Sequence, residues 1–195
     1  RGRKHKHEGT NCDDWFEAGT AGPWDIVAVS DGAGSCKLSR IGARVSTGTV
    51  VDFLRRELAG VTLGLEGDAP EEVLERNEQG AFLRDDLQRV QEVLHEAVRL
   101  AHQAVAEEAA KREVDVKHLS STLRLAVHSI LAGGSRPVSF VLACGVGDGM
   151  SAAVDAAGGL HLLAPEDSGG KYSGETEFLP DARTIEPAHL AAATF

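Results

Sequence analysis

VAVSDGAGSCKLSRIGA, residues 27–43, is the stretch that decides the fold of this chain. In it an apolar strand leads directly into an acidic glycine turn, and a helix follows at once. This order places the Asp31 carboxylate and the Gly32 carbonyl at the end of a rigid strand, where hard oxygen ligands can converge on a divalent cation. Asp-Gly pairs are also common in ordinary tight turns, so the stretch alone leaves both interpretations open.

Two other segments carry carboxylates beside short apolar runs. Asp13 and Asp14 precede a short apolar patch near the start of the chain, and Asp148 lies in a second acidic glycine turn, CGVGDG, which ends the apolar run 138–143. Three carboxylate-bearing elements are what an all-oxygen magnesium or manganese site requires. We therefore predict that these three carboxylates and Asp31 cluster in the folded chain.

Composition and charge exclude several classes of protein. A chain of 195 residues, 42% of them hydrophobic, can bury one sizeable core, which predicts a single domain. No apolar run approaches the ~20 residues that cross a bilayer, and no signal-peptide core follows the basic start. These features predict a cytoplasmic protein that does not bind membranes. The formal net charge of -10 also disfavours binding to nucleic acid.

The three cysteines are Cys12, Cys36 and Cys144. Their odd number and the lack of Cys-x-x-Cys spacing argue against a disulfide framework and against a structural zinc site. Free thiols are expected.

The hydrophobic pattern predicts an α+β fold in which helices cover a sheet. Helices are predicted over residues 39–59 and 83–111, the second with apolar residues at intervals of three and four. The predicted strands are residues 24–30, 121–131, 137–145, 150–155 and 159–163. The short connections between the last four strands favour an antiparallel meander.

Four segments, in this order, resemble the type 2C metal-dependent protein phosphatases, and their bacterial branch in particular. They are HKHEGTNCDD (5–14), DGAGSCKLSRIG (31–42), SSTL (120–123) and the region 147–179, which contains GDG and the loop EDSGGKYSGETEFL. The resemblance implies an antiparallel β-sandwich flanked by helices, with metal ions at one end of the sandwich. It extends over nearly the whole chain, so residues 1–195 are expected to form one phosphatase-like catalytic domain.

The resemblance also implies a reaction, which is hydrolysis of phosphoserine and phosphothreonine in proteins by a metal-activated water. Two Mn²⁺ or Mg²⁺ ions would be bound, with a third at a weaker site. Asp31 would contact both ions, Gly32 would offer its carbonyl, and Asp14 matches the first acidic position of the family. Asp13 would interact with the ions through water, or would support the direct ligands without binding an ion itself. Asp148 would contribute to the weaker site. The implied partner is a phosphorylated serine/threonine kinase or its target.

Two departures from the family leave parts of this site unassigned. Many eukaryotic relatives place a histidine, proposed to protonate the leaving alcohol, where this chain has Ala33. The phosphate-binding arginine of the family has no unambiguous match here. His5 and Lys6 in the basic start, and Lys171 in the loop after the GDG turn, are the candidates for contact with the substrate. A solvated basic terminus explains the first two at least as well.

Two alternatives stay open from the sequence. The first is a catalytically inactive, phosphoprotein-binding regulatory module on the same fold. The second is a nucleotide-binding or methyl-donor-binding α/β enzyme, because residues 140–157 could form a strand, a glycine-rich turn and a helix. A G-x-G-x-x-G fingerprint that begins at Gly145 finds Met150 in place of its last glycine, which disfavours the second alternative.

The family closes its dinuclear centre with two further aspartates, which would follow Phe195, and it has a strand ahead of the position of His5. We therefore expect residues 1–195 to be incomplete at both ends, and residues 189–195 to begin the next strand.

Overall fold

The computed structural model describes residues 12–63, 84–131, 137–163 and 176–195. The elements are β1 (Trp15–Ala21), β2 (Trp24–Ser30), α1 (Ser39–Leu58), α2 (Arg84–Lys111), β3 (Leu123–Leu131), β4 (Val138–Val146), β5 (Ala152–Val154), β6 (Leu160–Leu162) and α3 (Pro187–Ala192). Short 3-10 helices cover Val116–Leu119 and Ala182–Ile185. The predicted α+β class is confirmed, and both long helices lie within one residue of their predicted bounds. Strand β1 was not predicted.

The main sheet has four strands in the order β1-β2-β3-β4, and every neighbouring pair is antiparallel. β2 and β3 are neighbours in the sheet although both long helices lie between them in the chain. Strands β5 and β6 form a separate hairpin. The helices therefore connect two adjacent strands and pack back onto the sheet that those strands form.

The two faces of the main sheet differ in their surroundings. Along β2, every second side chain is buried, beginning with Trp24, Ile26 and Ala28. These residues define the inner face, which packs against the helices. The opposite, outer face exposes large apolar side chains, including Phe16 at 69% and Ile130 at 60% of their surface.

The two long helices supply the rest of the core. Helix α1 packs against β1 and β2, and α2 packs against α1. The α2 residues with buried side chains recur at helical spacing, as the sequence predicted. They are Val90, Leu94, Ala97, Val98, Ala101, Val105 and Ala109. Trp24 also lies in this core. Its indole N–H is hydrogen-bonded although it is buried, because Nε1 donates to the Val61 carbonyl at 2.8 Å.

The resemblance implied a sandwich of two sheets. Among the described ranges there is one four-stranded sheet with helices on its inner face, and the second sheet is represented by the exposed β5–β6 hairpin. The prediction that residues 189–195 begin a strand is wrong for most of them, because α3 continues to Ala192. Only the last two residues pair with β4: Thr194 forms a β-bridge with Cys144, and Phe195 exchanges two backbone hydrogen bonds with Ala143.

Gly42 lies where α1 crosses the 3-10 helix Val116–Leu119, and a Cβ atom there would overlap the Leu119 carbonyl. Replacing Gly42 by Ala should destabilise the fold by roughly 1–3 kcal/mol, because the helix must move away from that carbonyl. Gly48 in the same helix is the matched control, since a Cβ there meets nothing within 4 Å. Gly48→Ala should stabilise by about 0.5–1 kcal/mol. Urea unfolding of both variants measures this, and equal effects of the same sign would show that the crossing is not close-packed.

Candidate metal centre

The register of the sheet brings the predicted carboxylates together at one end. Trp15 of β1 lies opposite Ser30 of β2, so continuing the antiparallel pairing by one residue places Asp14 opposite Asp31. The two side chains are near enough for the Asp14 carboxyl to help raise the pKa of Asp31. Asp14 and Asp31 lie just beyond the paired ends of β1 and β2. Each is two residues from an outer-face residue, Phe16 and Val29 respectively, so both belong to the outer face.

Thr122 fixes the backbone at Asp31. The Asp31 amide donates to Thr122 Oγ1 at 3.0 Å, and the Thr122 amide donates to the Asp31 carbonyl at 2.8 Å. One residue further, Gly32 forms a β-bridge with Ser121. The hydrogen bonds of that bridge use the backbone groups of the flanking residues, so the Gly32 carbonyl takes no part in it. The bridge therefore leaves that carbonyl available as an oxygen ligand as far as the described residues are concerned.

Asp31 has its pKa raised to about 6. The largest cause is partial desolvation, followed by the hydrogen bond and charge of Asp14 and then by the charges of Asp148 and Asp13. Like charges held together favour either a shared proton or a bound cation. Asp14, Asp148 and Asp13 therefore all lie within electrostatic range of Asp31.

Asp148 lies in the turn that follows β4. Continuing the β3–β4 register beyond its last pair, Leu123 with Val146, places Gly147 opposite Thr122. Gly147 has a positive φ of 101°, and a Cβ atom there would meet the Thr122 side chain at 2.6 Å. A glycine is thus required by conformation and by space. Asp148 Oδ2 accepts a hydrogen bond from Thr176 Oγ1 at 3.1 Å.

The described residues supply part of a divalent-cation site. Two neighbouring carboxylates and a nearby backbone carbonyl suit Mg²⁺, which commonly uses one or two carboxylates and keeps several waters. Within the part of the chain that the structure describes, no three His, Cys, Asp or Glu side chains are grouped closely enough to hold a metal ion. Asp13 and Asp148 contribute charge to Asp31, but they do not complete a set of direct ligands with it.

The remaining predicted site residues are placed as follows. His5, Lys6 and Lys171 lie outside the described residues. The Ala33 amide donates to the Ser120 carbonyl at 2.9 Å, and its methyl side chain cannot donate a proton. Cys12 is partly exposed, and its thiol donates to Asp14 Oδ2 at 3.4 Å. The structure has no disulfide among the three cysteines, which are all free thiols as predicted.

Sequence reasoning identified SSTL as a family segment but assigned no role to Thr122, and it missed Arg124 altogether. Arg124 is 7% exposed, and its Nη2 donates to the Gly147 carbonyl at 2.6 Å. The signal that could have found it is a charged residue inside the apolar run LRLAV. The neighbouring strand β4 ends in a motif with three glycines, which leaves room for a long side chain.

The nucleotide-binding alternative required a helix after the glycine turn. Residues 152–154 instead form strand β5, which pairs with β6 in a hairpin. The strand-turn-helix pattern of a dinucleotide site is therefore missing at this position.

The sequence model of the Protein phosphatase 2C family matches residues 1–192 of this chain. The chain belongs to that family, which confirms the type 2C resemblance.

Among solved structures, the chain is similar to a Stage II Sporulation E family protein from Thermanaerovibrio acidaminovorans. The two are 17% identical, with a TM-score of 0.47, and the match covers 78% of this chain and 52% of that one. The chain thus spans about half the length of that protein. No curated protein matches the sequence. None of the helices within the described ranges has the length and apolar character needed to cross a membrane.

Proposed function

We propose that this chain hydrolyses phosphate monoesters on serine and threonine residues of proteins, with Mn²⁺ or Mg²⁺ held by Asp14, Asp31 and the Gly32 carbonyl. Family membership supports a phosphatase-type function. The observation that carries the proposal is the Asp14–Asp31 pair, which the β1–β2 register sets side by side and which gathers negative charge at one end of the sheet. Such a pair is stabilised by a divalent cation.

When bound, the divalent ions would lower the pKa of a water molecule and offset the charge that develops on the phosphoryl group. The residues of the chain provide the geometry. Asp31 is fixed at its backbone by Thr122, so its carboxylate stays at the end of β2. Asp14 is set opposite by the β1–β2 register. Asp148 adds charge from the turn after β4 and would serve a further, weaker ion.

The leaving alcohol must take its proton from somewhere other than residue 33, because Ala33 has no titratable group. The proposal therefore assigns no acid to this step. His5, Lys6 and Lys171 stay candidate contacts for the phosphoryl group. A phosphorylated serine/threonine kinase or its target stays the proposed partner, and a bacterial source and a cytoplasmic location stay predictions.

One observation favours a second candidate function. Within the described ranges the carboxylates do not form a group of three direct ligands. A catalytically inactive module on this fold, which binds phosphoproteins without hydrolysing them, would need no complete metal centre.

An assay of phosphate release from a phosphothreonine peptide, with manganese or with EDTA, separates these candidates. The proposal expects release that requires manganese and stops on chelation. The test variant is Asp14→Asn, which keeps the shape of the side chain and removes a proposed ligand. This variant should lose most of the phosphate release. Saturable peptide binding without any release would favour the inactive module, and release that is indifferent to metal would contradict the proposed chemistry.

A further inference from the structure

Arg124 is a buried cation beside an acidic site, and the proposed chemistry gives it no role. It lies on the outer face of β3, opposite Val29 of β2 and Gly145 of β4. Only 7% of its surface is exposed, although the apolar side chains around it on this face are open to solvent. It is covered because the turn after β4 folds over it.

The turn and the arginine fit each other closely. A Cβ atom on Gly145 would overlap the Arg124 side chain, and a Cβ on Gly149 would approach its Nε at 3.0 Å. The glycines at these two positions therefore leave the space that the arginine occupies. Between them, the Gly147 carbonyl accepts a hydrogen bond from Arg124 Nη2 at 2.6 Å. One side chain thus contacts the turn on both sides of Asp148.

Arg124 also has an electrostatic connection with Asp148. Burial lowers the pKa of Arg124, and the Cys144 thiol and the Asp148 carboxylate oppose that shift. Asp148 in turn helps to raise the pKa of Asp31. Asp148 therefore interacts electrostatically both with the arginine and with Asp31.

Fold stability does not explain the presence of this cation. Its Nε is buried without a hydrogen-bond partner among the described residues. A buried charge with incomplete hydrogen bonding costs free energy, and an apolar side chain of similar volume is often neutral or stabilising in its place. What the arginine gives is a fixed position of the turn relative to β3, and Thr122, the residue just before β3, holds Asp31.

We propose that Arg124 is a positioning residue that holds the turn 145–149 against β3 and so sets where Asp148 lies relative to Asp31. This inference rests on the proposed function for its consequence, the affinity for a divalent cation. Its structural part, the fixed position of the turn, stands on the contacts alone.

The variants are Arg124→Met, which keeps the stem without charge or donors, and Arg124→Lys, which keeps one donor for the Gly147 carbonyl. Arg99→Met is the matched control, because Arg99 pairs with Glu96 on the surface of α2. The first readout is the backbone order parameter of residues 147–149 by NMR without metal. We expect it to fall from about 0.85 to about 0.6 or lower in Arg124→Met and to be partly restored in Arg124→Lys. Arg99→Met should leave it unchanged.

The second readout is manganese affinity, measured by the electron paramagnetic resonance of free Mn²⁺. Arg124→Met should weaken binding by about 10–100-fold, as is typical when an outer support of a metal site is removed. In an Asp148→Asn background the same substitution should change the affinity by less than about twofold, because the arginine acts through that carboxylate.

Unchanged order parameters in a folded Arg124→Met variant would overturn the proposal, as would an equal loss of affinity with and without Asp148. If Arg124→Met does not fold, Arg124→Lys replaces it in both measurements. Lysine lacks the forked donor of arginine, so the order parameters and the manganese affinity should fall in the same direction but by less. A wild-type chain that binds no manganese would contradict the proposed function, while the metal-free NMR measurement would still decide whether Arg124 holds the turn.

Discussion

Asp31→Asn is expected to lower manganese-dependent phosphate release by about 10²–10⁴-fold, because metal ions supply several kcal/mol to such reactions and each ~1.4 kcal/mol is a factor of ten. Asn keeps the shape of the side chain and removes the charge that would hold the ions. Steady-state release from a phosphothreonine peptide measures the loss. The same variant should be no less stable than wild type without metal, because it relieves repulsion from Asp14 and Asp148.

A loss of activity without a loss of stability would distinguish removal of the metal site from damage to the fold. Asp25→Asn is the control, since Asp25 is an exposed residue of the same strand whose carboxylate pairs with His128 far from the centre. Its activity should stay within about twofold of wild type, as expected for a surface ion pair. Full activity in Asp31→Asn would show that the ions, if bound, are held elsewhere.

Manganese in 100-fold excess over its Kd should stabilise the folded chain by about 2.7 kcal/mol through mass action. For a chain of this size that corresponds to a rise in melting temperature of roughly 5–10 °C. The cause is the gathered charge on Asp14, Asp31, Asp13 and Asp148, which a bound cation offsets. Differential scanning calorimetry at pH 7.5 with added metal measures it.

The pH dependence of stability should change sign with metal. In its absence the pKa of Asp31 is about 6, above the ordinary value of 3.8. The folded state then binds the proton more tightly than the unfolded state, so the contribution of Asp31 to stability is present at low pH and is lost as pH rises from 3.8 to about 6. With manganese, protons compete with the cation, and stabilisation should instead grow as pH rises through 6.

Sodium chloride at equal ionic strength is the control for general screening. A rise in melting temperature that is the same in Asp31→Asn as in wild type would contradict the assignment of the cation to this centre.

The sequence predicted the acidic residues of the centre better than their arrangement. Acidic glycine turns after apolar runs pointed to Asp31 and Asp148, because strand ends and tight turns have strong local signals. The pairing of Asp14 with Asp31 depends on β1, which was not predicted. The segment WFEAGTA has no clear alternation and contains Gly and Ala, which are weak strand formers, so its strand depends on pairing with β2.

Arg124 shows a second limit of sequence reasoning. In an alternating strand a charged residue is expected to be exposed, and the outer face of this sheet is indeed open. Its burial results from Gly145, Gly147 and Gly149 on a neighbouring segment, which folds over it. The charge inside the apolar run LRLAV marks residue 124 as unusual, but that local pattern does not show which segment covers it.

The pairing of β2 with β3 also has a consequence for the order of folding. Asp31 and Thr122, which hold the centre together, are 91 residues apart in the chain, and both long helices lie between them. Closing so long a loop costs entropy that local contacts do not, so we expect the helices to form before this pairing. A cation that binds only the fully formed centre therefore has no complete binding site during the early steps of folding. It should prolong the lifetime of the native state by slowing unfolding, and leave the rate of folding nearly unchanged.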